Sequence, residues 1–162
     1  MNVCHNNFKA IKCANLRIDW QKTLVMGIIN LTPDSFSADG IIDSKDSILA
    51  FIENRINQGA DIIDIGAQST KPGSDSISVD QEIERLNMLL PFYKNHFSVP
   101  LSLDTSKPEV AEYGLKHGVD IINDVSGGAD VRMWHLVADY QCPYIVMHCQ
   151  GEPKTMQHNP YY

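Results

Sequence analysis

The sequence has no run of basic residues, no C-x-x-C pair, no G-x-G-x-x-G turn and no apolar stretch long enough to span a bilayer. Each absence removes a class of function. Lys and Arg are scattered singly through a chain of formal net charge -7, so neither nucleic acid nor an anionic membrane would meet a basic stripe. A local cationic pocket for an anionic substrate stays compatible with that balance. Cys4, Cys13, Cys142 and Cys149 lack the spacing of a zinc or dithiol site, and no apolar signal segment precedes them. Reduced thiols in a cytoplasmic protein are the expectation. With 162 residues, 43% of them hydrophobic, one core and one domain are expected.

What is present is a repeating order of short apolar runs and helical patterns. Leu24 to Ile29, Ile62 to Ile65, Leu101 to Leu103, Ile121 to Ile122 and Tyr144 to Met147 read as buried parallel strands, being short and rich in β-branched residues. Ile48, Ile52 and Ile56 recur every four residues between the cap candidate Ser44 and a stop at Gly59. A second helix starts at Ser78, with Gln81 at capping-box spacing, and carries Ile83, Leu86, Leu89 and Leu90 on one face. A third starts at Pro108 and ends at Gly118, and a weaker fourth runs from Val131 to Tyr140. Alternation around Phe8, Ala10, Leu16 and Ile18 suggests that residues 1–22 form a hairpin or an extension.

Gly59-Ala60-Asp61-Ile62-Ile63-Asp64 and Gly118-Val119-Asp120-Ile121-Ile122-Asn123 repeat one another as helix stop, turn, buried strand and polar strand end. That punctuation favours a (β/α)8 TIM barrel over a doubly wound sheet, with Ile63 and Ile65 expected to face its interior. In such a barrel all strand carboxyl ends share one face. Asn30, Asp64, Gln68, Asp104, Thr105, Asn123, Asp124, His148 and Gln150 would converge there. A lone histidine beside a lone cysteine is a poor zinc site, so His148 is expected to pack at a strand end.

These residues resemble the motifs of one family. Asn30 to Gly40 form N-L-T-P-D-S-F-S-A-D-G, a first-loop signature with Ala38 inserted, and Gly66 to Gly73 form G-A-Q-S-T-K-P-G, a second-loop signature. D-T-S-K-P-E-V from Asp104, I-N-D from Ile122 and M-H-C-Q-G from Met147 follow in order, with P-K-T-M-Q from Pro153. Together they resemble dihydropteroate synthases. The resemblance implies displacement of diphosphate from 6-hydroxymethyl-7,8-dihydropterin diphosphate by the amine of 4-aminobenzoate. It assigns Asn30 to Mg²⁺, Thr70 and Lys71 to the diphosphate, Asp104 and Asn123 to the pterin edge, and Phe36 and Pro72 to the aminobenzoate. Lys71 stands where many members have arginine, and Gln68 where glutamate is usual.

A complete barrel needs about 250 residues, so residues 1–162 are expected to be an incomplete pterin-binding domain, truncated after about five strands. The resemblance implies that a further aspartate, a lysine, an arginine and a histidine of the site belong to the missing units, and that the complete enzyme is a homodimer. Two other readings stay open here: a related pterin-binding methyltransferase barrel, and a non-catalytic pterin-binding fragment.

Overall fold

The computed structural model describes residues 10–13, 16–19, 22–32, 44–68, 76–148 and 161. Two sheets are present among them. Strands β1 (Ala10–Cys13) and β2 (Leu16–Asp19) pair antiparallel as a hairpin. Strands β3 (Met26–Asn30), β4 (Ile62–Gly66), β5 (Leu101–Asp104), β6 (Ile121–Asp124) and β7 (Tyr144–Val146) form a parallel sheet in strictly sequential order. A doubly wound sheet reverses its strand order at a switch point. This one does not, so it has the order of a barrel wall.

Helix α1 (Lys45–Asn57) connects β3 to β4; α2 (Val79–Leu86) and α3 (Leu90–His96) connect β4 to β5. Helix α4 (Pro108–Lys116) leads to β6 and α5 (Val131–Asp139) to β7. Ser44 and Ser78 each close a capping box, the second through Gln81, which satisfies amides that the first helical turn leaves without partners. Gly59 and Gly118 lie at φ +104° and +95°, a left-handed conformation that β-carbons disfavour, and each turns the chain from a helix into the next strand.

The single helix expected from Ser78 through Leu90 is two helices. Pro91 sits in the first turn of α3, where its missing amide costs nothing, and inside a continuous helix it would have broken the ladder. Leu86, Leu89 and Leu90 are buried all the same, because the turn between the helices keeps them on the core side.

The two faces of the parallel sheet differ. Ile29, Ile63, Ile65, Leu101, Leu103 and Ile122 point to the helices and pack with Ile48, Ile52, Leu86, Val110 and Met133 in the main core. The expectation that Ile63 and Ile65 face the barrel interior is therefore wrong: both are fully buried beneath the helices. Side chains alternate along a strand, so with Asp64 on the inner face its two neighbours must point outward. On the inner face Ile18 of the hairpin packs with Ile62 and Ile121, closing the amino-terminal end of the wall. Among the described residues no helix is long and apolar enough to cross a membrane.

Candidate functional site

The strand register sets the site. Asn30 lies beside Gly66, Gly66 beside Asp104, and Asp104 beside Asn123, so one lateral row crosses four strands at their carboxyl ends. Adjacent strands are about 4.8 Å apart, so neighbouring members of the row can touch one small planar ligand. Gly66 leaves the row open. A β-carbon at that position would stand 3.4 Å from Asn30 Oδ1 and 3.6 Å from Asp104 Oδ2, in the space between the two.

One pleat below, Asp64 is 3% exposed and faces Ser102 across the β4–β5 register. Its Oδ2 accepts from Asn123 Nδ2 at 3.2 Å. Burial raises the Asp64 pKa, and the Ser102 and Asn123 side chains act against that rise. Asp104 is pushed up to about 7, first by burial and then by the negative charges of Asp64, Glu82 and Asp124. Its Oδ1 is buried and has no hydrogen-bond partner among the described residues. A carboxyl group held in this way can take up hydrogen-bonding N–H groups from a ligand, which would relieve an orphaned acceptor.

Not every polar strand-end residue joins the row. Asp124 is buried with the opposite parity, where its carboxylate accepts from the Ser126 amide at 2.7 Å and the Tyr144 hydroxyl at 2.5 Å. Thr105 accepts from the Lys107 amide at 3.2 Å and shapes the turn into α4. His148, two residues beyond β7, is exposed. Thr70, Lys71, Phe36 and Pro72 lie outside the described residues, as do Gln150 and the segment from Pro153.

Past the carboxyl ends of β4 and β5 is a network that motif reading missed. Lys107 Nζ donates to Glu82 Oε2 and to Gln68 Oε1, each at 2.6 Å. Glu82 is 1% exposed, so this ion pair is shielded from solvent. Gln68 Oε1 also accepts from Ser76 Oγ at 3.4 Å and the Ile77 amide at 3.3 Å, tying together the two ends of the segment 69–75. No periodic signal marks Glu82 as buried, since charged residues on a helix ordinarily face water.

The family model for pterin binding enzymes matches residues 26–162, spanning every strand of the parallel sheet. The chain belongs to that family. A folate synthesis bifunctional protein of Arabidopsis thaliana is 47% identical over 141 residues, covering 85% of this chain and 29% of the relative. The dihydropteroate synthase of Yersinia pestis, solved with a sulfonamide drug complex, is 37% identical with a TM-score of 0.85, covering 94% of this chain and 56% of that one. That of Burkholderia cenocepacia, solved with 7,8-dihydropteroate, is 36% identical with a TM-score of 0.78, covering 94% and 51%. The chain thus spans about half the length of the dihydropteroate synthases it matches.

Proposed function

We propose that this chain provides the pterin-reading part of a dihydropteroate synthase. The observation that carries the reading is the row of Asn30, Asp104 and Asn123 around the gap at Gly66, on a wall whose relatives make or bind dihydropteroate. Asp104 would accept from the ring and amino N–H groups of the pterin, and the Asn123 amide would read the neighbouring edge. In the reaction, the amine nitrogen of 4-aminobenzoate attacks the exocyclic carbon of 6-hydroxymethyl-7,8-dihydropterin diphosphate. The carbon–oxygen bond to diphosphate breaks, diphosphate leaves, and the nitrogen loses a proton to give 7,8-dihydropteroate. No protein nucleophile is needed, so binding and charge stabilisation supply the catalysis.

Thr70 and Lys71 belong to this proposal as diphosphate partners, and Phe36 and Pro72 as walls for the aminobenzoate. Lysine in place of arginine at 71 keeps the charge but gives up the two-point fork of a guanidinium. For Mg²⁺, the test is the donor set. Asn30 ends β3 exposed and offers a hard oxygen, while among the described residues no group of three His, Cys, Asp or Glu could hold a metal. An ion with one protein ligand and its other positions filled by phosphate and water suits Mg²⁺. Bound there, it would neutralise charge on the departing diphosphate. A cytoplasmic location and a homodimer complete the proposal, to be checked by fractionation and sedimentation.

The deciding experiment is calorimetric titration of the full-length protein with pterin diphosphate, followed by diphosphate release on adding 4-aminobenzoate. Replacing Asp104 by Asn should weaken pterin binding by about 10- to 100-fold, in line with losing a charged hydrogen bond. Unchanged pterin affinity would overturn the assignment of Asp104. Pterin binding with no condensation would favour the methyltransferase or non-catalytic reading.

A further inference from the structure

We propose that Asp64 is a positioning residue for the pterin site, acting through Asn123. The inference rests on the pterin-binding reading above and assigns a role to a residue one pleat beneath the ligand row. Asp64 is buried at the middle of β4, too deep to meet a ligand at the strand ends. Its Oδ2 accepts from Asn123 Nδ2 at 3.2 Å, a bond between strands that are not adjacent, since β5 lies between them. Ser102, which separates the two, is small and fully buried, and so leaves room for the bond to pass.

The consequence is an orientation. A free asparagine can present either its carbonyl or its NH₂ group to a ligand, because rotating the amide by half a turn exchanges them. With Nδ2 committed to an acceptor below, Asn123 Oδ1 is turned away from Asp64, and no described residue donates to it. Asn123 is also partly exposed, so the oxygen is available to a ligand. Asp104, its register neighbour, presents a second acceptor about one strand spacing away. The row thus offers adjacent acceptors. A planar heterocycle with neighbouring N–H groups on one edge would fit, whereas an analogue with acceptors at those positions would face two unpaired oxygens.

The test is a double-mutant cycle on the full-length protein, read by calorimetry with 6-hydroxymethylpterin as the probe. Asp64→Leu should weaken binding at least tenfold, while Asp64→Asn, which keeps an acceptor, should stay within about threefold of the parent. In an Asn123→Ala background, Asp64→Leu should cause no further loss, because the residue it acts through is gone. The KM for 4-aminobenzoate should be unchanged in Asp64→Leu, which separates positioning from general loss of structure. An undiminished affinity in Asp64→Leu, or a full additional loss in the Asn123→Ala background, would overturn the proposal. If the parent itself binds no pterin, the functional reading fails, and the orientation is then read from the ¹⁵N side-chain amide signals of Asn123. Hydrogen exchange slowed in the parent and faster in Asp64→Leu would support it; equal exchange would overturn it.

Discussion

At the scale of single residues, Asp104 carries an electrostatic cost that its position requires. Partly buried, with the negative charges of Asp64, Glu82 and Asp124 acting on it, it holds its proton to about pH 7, whereas the ordinary value is 3.8. The folded state therefore binds more protons than the unfolded chain between about pH 4 and 7, and this group's contribution to stability falls as pH rises through that window. Asp104→Asn should remove the dependence. Relative to the parent, the variant should gain nothing at pH 4 and about 1–3 kcal/mol at pH 8, as measured by urea unfolding. A gain independent of pH would mean that the Asp104 carboxyl is not titrating there. A site residue whose removal stabilises the fold and weakens ligand binding is one the fold holds for function.

Among the elements, α2 and α4 are joined to the strand ends by Lys107. Its ammonium lies between Gln68 and Glu82, and Glu82 has no other charge partner among the described ion pairs. Lys107→Met keeps much of the side-chain volume but leaves a carboxylate buried without its cation, a change that typically costs 3–5 kcal/mol. Adding Glu82→Gln should recover most of the loss, because the buried charge is removed with its partner. Thermal unfolding of the single and double variants checks this. Additive losses would show that the pair is not coupled. The link was not legible in the sequence: Ser78 and Gln81 announce the start of α2, but nothing in the spacing tells that Glu82 turns inward.

For the whole molecule, the parallel sheet has two edges among the described strands, β3 and β7, and both carry apolar side chains into solvent. Ile28 on β3 is 62% exposed, and Ile145 on β7 is 39% exposed. Both lie on the inner face, by parity with Asp64 and Asn123. Unpaired edges and uncovered apolar groups promote association. A polypeptide limited to residues 1–162 should therefore sediment as oligomers or aggregates and release no diphosphate, whereas one carrying strands that pair with β3 and β7 should be discrete and active. A well-behaved 162-residue monomer with full turnover would refute this.

The sequence by itself determined the local and repeating features. Apolar runs of strand length, helix caps at Ser44 and Ser78, stop glycines at 59 and 118, and polar residues at strand ends are properties of neighbours along the chain. They were enough for the order of elements, the barrel-type wall and the family. Tertiary structure decided what depends on register and packing between distant segments. It turned Ile63 and Ile65 toward the helices and Asp124 away from the row at the strand ends, split one expected helix before Pro91, and joined Asp64 to Asn123 and Lys107 to Glu82. The physical reason is parity. A strand's side chains alternate, so which half of an apolar run faces inward is settled by its partners' register, and a polar residue becomes part of a site only when that register brings it beside another.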